Sequence, residues 1–373
     1  MRLRTEFMGL SLSSPLIVAA GPWSRNPETI IKSLDAGAAA VVTETIAMDV
    51  RHNVRPWIHA KNGGYENVRL YSDHALEHWT QFIREIAVAK GKVIASIMGH
   101  SPSELGYVAK TVSKAGASAI ELGLSIPHGE GVAVMGSDPD KLYASIRSVI
   151  NSVDIPVMVK FSPHVTNITE LAKVVERAGA ASISGIDTVR SIVGVDIETM
   201  KPHLSTYGGY SGPPIKPIGL ATVASIAQSV KLPVCGIGGI HKVEDALEYM
   251  MLGASTFQVG SAIMTHGYDV IGTLIKDLDH WLETRNLIAS DIVGKALVNL
   301  KAFDEIEILP YRAVVEKSCE AYSCANCQTA CLVDAISFTE GYIQIDADRC
   351  NGCGLCVSLC ENHCIALRWR NNR

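Results

Sequence analysis

The 373-residue sequence has no apolar run approaching the 18 or so residues that a membrane helix requires. It has no positive excess either, since 33 Lys and Arg stand against 38 Asp and Glu for a formal net charge of −5. Without a positive field no nucleic-acid partner is expected. The N-terminal MRLRTEFMGLSLSSPLIVAAG carries basic residues, but LIVAA is short and LSLSS precedes it, so no export signal is expected. These absences predict a soluble cytoplasmic protein without a membrane partner. There is no low-complexity tract, and 47% of residues are hydrophobic, which excludes a disordered chain. The most informative absence is cysteine. Only Cys235 falls in the first 318 residues, while the other nine lie between Cys319 and Cys364. A disulfide framework would not leave the large apolar part unbridged, whereas a metal-binding tail module accounts for the clustering.

What is present is a repeat of βα character from residue 14 to 285. Eight β-branched apolar runs read as strands: LIVAA (16–20), AVVTETI (40–46), KVIASIM (92–98), AIELGL (119–124), PVMVKFS (156–162), SISGIDTV (182–189), PVCGIGG (233–239) and TFQVGSA (256–262). Helical patterns lie between them, among them 73–91, 138–153 and 170–180. The second opens on Ser137-Asp138-Pro139, a cap followed by proline at the first helical position. Strands that are apolar throughout and alternate with helices predict a parallel sheet buried on both faces. Eight such units over about 270 residues fit a (β/α)8 TIM barrel better than an open doubly wound sheet, though periodicity does not count closure. The expected fold is α/β, with a barrel over 1–285, a connecting segment with one helix over 286–316 and a small α+β domain over 317–373.

In the last domain one run reads Cys350-x2-Cys353-x2-Cys356-x3-Cys360. The other reads Cys324-x2-Cys327-x3-Cys331, with Cys319 separated from Cys324 by four residues. Three closely spaced thiolates hold three irons of one cubane, and the fourth cysteine of each run reaches the other cluster. Crossed ligation assigns Cys319, Cys324, Cys327 and Cys360 to one 4Fe-4S cluster, and Cys350, Cys353, Cys356 and Cys331 to a second. CxxC pairs also suit zinc, but two triplets with crossing cysteines favour a ferredoxin-like 2x 4Fe-4S domain. Leu332 and Glu361 replace the proline that usually ends such runs. With the widened first spacing, a labile or three-iron first cluster remains an alternative. Cys364 is surplus and reads as a buried thiol.

Barrel chemistry sits at the C-terminal strand ends, often with a phosphate site after strands 7 and 8. Strand 7 here ends in Cys235-Gly236-Ile237-Gly238-Gly239 and strand 8 in Val259-Gly260-Ser261-Ala262, whose backbone N–H groups can approach a phosphate. Tight turns alone would also use glycine, so position rather than composition favours a phosphate. Lys160, at the end of strand 5, suits a structural ion pair or a place beside a flavin N1/O2 edge, where reduction builds negative charge.

The segments VKFSPHVTNI (159–168), TYGGYSGPPIKPIGL (206–220), GIGGI (236–240), QVGSAI (258–263) and ELGLSIPHG (121–129) resemble the dihydroorotate dehydrogenase family. With the cysteine runs, the whole chain is most similar to the catalytic subunits of the bacterial dihydropyrimidine dehydrogenase family. The resemblance implies FMN in the barrel and Lys160 against the flavin ring. It places Ala20, Gly21, Glu44, Gly209, Ser211, Gly212, Gly238, Gly239, Gly260 and Ser261 among the FMN-binding positions.

The active-site motif departs from the family pattern. Where the family reads Glu-Leu-Asn-Leu-Ser-Cys-Pro-His-Gly, this chain has Gly123 for the substrate-binding asparagine and Ile126 for the cysteine acid/base. Glu44 replaces a lysine after strand 2, Arg69 an acid in the Asn-x-Glu-x-Ile motif, and Asp187 the asparagine of an Asn-Thr pair. Asn67 and Thr188 persist, so Asn67, Arg69, Asp187 and Thr188 are the substrate-binding candidates. Losing matched amide partners leaves buried polar groups unpaired, which argues against a dihydropyrimidine or dihydroorotate substrate. Arg69 suits a carboxylate or phosphate, or else pairs with Glu44 or Asp187 in a compensated charge swap. Isoleucine cannot transfer a proton, so another residue must, or water must, or the barrel has lost its catalysis. His128 and Ser125 are the first replacement candidates, beside Glu130 and Tyr71.

The expected protein is therefore an FMN- and iron–sulfur-dependent oxidoreductase acting on a C=C or CH–CH bond next to a carbonyl. The sequence has no NAD(P) or FAD domain, since GIGGIH is not GxGxxG followed by a ribose-binding acid. An electron-donor flavoprotein or ferredoxin is the expected partner, and a homodimer or hetero-oligomer the expected assembly. The rivals are an electron-transfer subunit with a degenerate barrel, a dihydropyrimidine dehydrogenase subunit with a replaced proton donor, and a barrel holding a phosphorylated metabolite without flavin.

Overall fold

The computed structural model describes residues 2–50, 54–89, 91–124, 132–317, 319 and 326–369. Eight parallel strands close into a barrel: β1 (Leu16–Val18), β2 (Ala40–Val42), β3 (Val93–Ile97), β4 (Ala119–Gly123), β5 (Val157–Phe161), β6 (Ser182–Gly185), β7 (Val234–Ile237) and β8 (Ala254–Val259). Each pairs with its sequence neighbours, and β8 returns to β1 through Phe257 opposite Leu16. These segments are strands because Val, Ile and Ala fill both faces, one against the barrel interior and the other against helices. All five residues of β3 and of β5 are buried.

Eight helices wrap the barrel: α1 (Pro27–Asp35), α2 (Leu76–Val88), α3 (Pro102–Ala115), α4 (Pro139–Ile150), α5 (Ile168–Ala178), α6 (Lys216–Ser229), α7 (Val243–Met251) and α8 (Asp269–Glu283). The expected start of α4 is observed, with Asp138 accepting from the N–H groups of Asp140 and Lys141 at 3.0 Å and Pro139 at the first position. At the N-terminal end a hairpin, Thr5–Phe7 with Leu10–Leu12, buries Phe7 and Leu12 against Ile17, Ile94 and Met158 of the barrel interior.

Two insertions add a four-stranded antiparallel sheet that was not apparent in the sequence. Its order is Val189–Ser191, Gly208–Ser211, Gly64–Asn67 and Ile58–Lys61. The run 182–189 therefore does not form one strand: β6 ends at Gly185 and Val189 begins a strand of the other sheet.

The chain separates into two compact units, Met1–Leu300 and Lys301–Arg373. Residues 286–300 hold to the barrel unit through Gly294 N to Met250 O and Ala296 N to Met251 O. The α-helix expected in 286–316 does not form, and 310-turns at Ala289–Ile292, Leu297–Asn299 and Phe303–Glu305 take its place. Val298, Phe303 and Ile308 are all exposed, so no apolar stripe is available to anchor a helix there. In the second unit Tyr311–Val315 pairs with Ile365–Trp369, and Ile336–Thr339 with Tyr342–Ile345. Between these ribbons lie two short helices, Asn326–Thr329 and Leu355–Ser358, each carrying a cysteine.

Candidate active site and cluster site

The C-terminal ends of the strands open on a cleft of about 720 Å³, counting the open space at its mouth. Ala20 and Gly21 come from the end of β1, Lys160 from β5, Gly238 and Gly239 from β7, and Gly260 and Ser261 from β8. Ser211 and Gly212 enter from the antiparallel sheet, whose strand register sets Gly209 opposite Asn67 and Ser211 opposite Tyr65. Gly209 itself is buried in that pairing and lines neither cavity of the mouth.

Two glycines answer to close approach. Gly239 has φ +72°, and a Cβ there would lie 2.8 Å from the Gly212 carbonyl oxygen and 3.0 Å from the Lys216 nitrogen. A Cβ on Gly21 would fall 2.3 Å from the Trp23 ring. That indole is held by Nε1 donating to Ala19 O at 2.6 Å, and its far edge reaches Gly260. Trp23 gave no signal in the sequence, because a single aromatic after an apolar strand has no distinctive spacing. Ser261 Oγ lies 3.1 Å from His241 Nε2. Burial, and then the neighbouring His266, pull the His241 pKa down, so its ring stays neutral near pH 7.

Lys160 is almost fully buried, and its Nζ lies 3.5 Å from Glu121 Oε1. Burial pulls its pKa down, but Glu121 and Asp187 outweigh that and hold it above the ordinary lysine value. Glu121 is fully buried, and its Oε2 accepts from Gln258 Nε2 at 2.7 Å and Ser184 Oγ at 3.1 Å. Donation through Nε2 fixes the Gln258 amide and leaves its Oε1 buried without a hydrogen-bond partner. Glu121 lay within the motif that carried the family resemblance, yet spacing alone did not mark it as the partner of Lys160.

A second cavity of about 820 Å³, again counting open space, adjoins the first and shares Asn67, Lys160, Asp187 and Thr188 with it. Its own wall brings Glu44, Arg69, Tyr71, Met98 and Gly123. Arg69 is paired on two sides: Nε and Nη2 lie 3.3 Å from the two Glu44 oxygens, and Nη2 lies 2.7 Å from Asp73 Oδ1. Burial raises the Glu44 pKa above the usual carboxylate range although Arg69 opposes it. Asn67 Oδ1 accepts from Arg69 N at 2.8 Å, and Asp187 Oδ1 from Thr188 N at 2.7 Å. Asp73 is the partner that sequence reasoning missed, four residues on from Arg69. Ser125, Ile126, His128 and Glu130 lie outside the described residues.

The residues of the first cavity fit FMN. Glycine backbone at the ends of β7 and β8, which a phosphate can approach, and a buried cation line the same cavity and suit a phosphate and a ring that becomes negative on reduction.

In the second unit, Cys331, Cys350, Cys353 and Cys356 line one cavity of about 520 Å³ with open space included. Backbone N–H groups point at cysteine sulfurs: Ala335 N to Cys331 Sγ at 3.3 Å, Ala313 N to Cys350 Sγ at 3.4 Å and Cys364 N to Cys360 Sγ at 3.2 Å. Such N–H···S bonds suit sulfurs that ligate an iron–sulfur cluster. Among the described residues no three His, Cys, Asp or Glu side chains converge on a single ion site. Cys319 and Cys360 lie beside Cys364, and Cys327 is buried in its helix. Cys324 lies outside the described residues.

A sequence model of the family "Dihydroorotate dehydrogenase" matches residues 2–282, and one of the "4Fe-4S binding domain" matches residues 343–366. The chain is 35% identical over 309 residues to the "Dihydroorotate dehydrogenase B (NAD(+)), catalytic subunit" of Pyrococcus abyssi, covering 79% of this chain and 99% of that protein. It is 34% identical over 300 residues to the protein of the same name from Thermococcus kodakarensis, covering 79% and 98%. For the one from Methanocaldococcus jannaschii the identity is 33% over 301 residues, with 79% and 98% covered. About a fifth of this chain therefore has no counterpart in those subunits. No helix among the described residues is long and apolar enough to cross a membrane.

Proposed function

The chain belongs to the dihydroorotate dehydrogenase family, and on that premise we propose that it is an FMN- and iron–sulfur-dependent oxidoreductase acting on a C=C or CH–CH bond next to a carbonyl. The observation that carries the reading is Lys160, buried at the inner end of a glycine-lined cleft and kept charged by Glu121 and Asp187. When bound, FMN supplies the two-electron hydride chemistry. Lys160, the glycines, Ser261 and Gln258, which line the first cavity, are the residues that would hold it, Lys160 supplying a positive charge to a ring that becomes negative on reduction. Asn67, Asp187 and Thr188, shared by both cavities, are the side chains at the boundary between cofactor and substrate.

The substrate differs from dihydroorotate and from a plain dihydropyrimidine on this reading. Gly123, Glu44 and Ile126 remove the amide, the cation and the acid/base of the family pattern. Arg69, already paired with Glu44 and Asp73, gives weaker support to an anionic substrate than its sequence position did. The cysteines point to two 4Fe-4S clusters, one on Cys350, Cys353, Cys356 and Cys331 and the other on Cys319, Cys324, Cys327 and Cys360. Through them a separate flavoprotein or ferredoxin would exchange electrons, in keeping with relatives named as catalytic subunits. Ile126 in place of the cysteine favours one rival, an electron-transfer subunit whose barrel turns over no substrate.

Acid release of flavin from anaerobically purified protein tests the reading, with about one FMN per chain expected. Iron and sulfide without flavin would overturn it. Lys160→Ala should abolish turnover of unsaturated carbonyl compounds with a chemical reductant; if no such compound reacts with the wild type while electrons still reach a partner, the relay reading replaces it.

A further inference from the structure

We propose that Glu121 is a positioning residue that holds the Lys160 ammonium at the cofactor-facing end of β5 and thereby fixes the charge an FMN ring meets. This rests on the FMN reading of the cleft. Glu121 lines neither cavity, so it touches neither cofactor nor substrate, whereas its partners Lys160 and Gln258 line the first. Its carboxylate joins four strands. Oε2 accepts from Ser184 of β6 and Gln258 of β8, which leaves Oε1, from β4, to Lys160 of β5.

A fully buried carboxylate is unfavourable unless paired and hydrogen-bonded, and apolar residues of similar volume would pack a barrel interior at least as well. Elsewhere the barrel uses that apolar solution, in Ile17, Val42, Ile94 and Met158. The Glu121 carboxylate sits instead beside Lys160, which lines the cleft. Among the described residues, the charged or titratable groups facing Lys160 are Glu121 from β4, Asp187 after β6 and Cys235 from β7. Burial pushes the Cys235 thiol up to about 12, so it stays neutral. Asp187 lies on the cavity wall, open to whatever enters, while Glu121 is sealed below. Of the two carboxylates, Glu121 is the permanent one.

The test is Glu121→Gln in the full chain, purified anaerobically, with FMN affinity measured by reconstitution and the flavin midpoint potential followed across the neutral to alkaline range. In the wild type Lys160 stays charged, and the potential–pH line carries no break from it. In Glu121→Gln burial is less opposed, Lys160 loses its proton within the range, and a new break appears. FMN binding should weaken about tenfold, because the Lys160 ammonium loses the carboxylate 3.5 Å away that places it. An unchanged affinity and an unchanged potential–pH line would overturn the proposal while leaving the FMN reading intact. Wild-type protein without FMN would overturn both. If Glu121→Gln does not fold, Ser184→Ala removes one bond to Oε2 and should give the same break in smaller measure; no change there also overturns it.

Discussion

Replacing Arg69 by methionine should cost far more than replacing Glu44 by glutamine, although the two residues form one ion pair. Their side chains keep only 7% and 6% exposure, so solvent screening is slight. Removing the guanidinium leaves Glu44 as a buried charge without its cation, a change that costs about 3–5 kcal/mol. Removing the Glu44 charge is different in kind. Burial already outweighs Arg69 in setting the Glu44 pKa, so its ionised form is a net burden on the fold, and Asp73 at 2.7 Å keeps the guanidinium paired. Glu44→Gln should therefore cost roughly 0–1 kcal/mol, and the double variant roughly 1–2 kcal/mol, well below Arg69→Met alone. The pH dependence follows the same sign. A folded pKa above the unfolded one gives stability that is complete below the unfolded value and is lost as pH rises through the folded value. Without Arg69 the raise is larger, so Arg69→Met should lose stability more steeply than wild type as pH rises above the ordinary carboxylate value. Urea unfolding followed by tryptophan fluorescence reads this out, because Trp23, Trp57, Trp79 and Trp281 lie in the barrel unit and only Trp369 in the other. Equal costs for the two single variants, adding in the double, would refute the reasoning.

Gly239→Ala should weaken FMN binding by more than tenfold on reconstitution, since its Cβ meets two backbone atoms that cannot withdraw and overpacking of this kind costs about 1–3 kcal/mol; wild-type affinity would dissolve the cradle. Anaerobic protein should carry about eight irons and eight acid-labile sulfides, and Cys353→Ser should lower both by about half. A count near four in the wild type would mean a single cluster.

The barrel was legible because its strands need little context: runs such as VIASI and VMVKF are buried on both faces and repeat with helices between them. The glycines of the cleft were legible for the same reason, following directly on β7 and β8. The antiparallel sheet was not. IHAK, GYEN and GGYS carry no apolar run, and they become strands only by pairing across two distant insertions. Charge partners were hidden in a similar way. Glu121 and Lys160 are 39 positions apart in sequence (160 − 121) and meet only because β4 and β5 are adjacent parallel strands whose register sets Lys160 opposite Gly123, two residues on from Glu121. Asp73 sits close to Arg69 in sequence, but in an irregular segment where spacing implies no contact.

The sheet that sets Gly209 opposite Asn67 joins residues 142 positions apart (209 − 67). At roughly 5–20 residues per second of synthesis, the Ile58–Asn67 hairpin waits on the order of 7–30 seconds for its partner strand to be made. During that interval its outer edge is an unpaired row of backbone donors and acceptors. The cofactor cleft, which draws Ser211 and Gly212 from the late strand, cannot take its final form until then. Newly made chains thus pass through a stage with a hairpin open to strand addition, and loading with FMN belongs to the end of synthesis rather than its course.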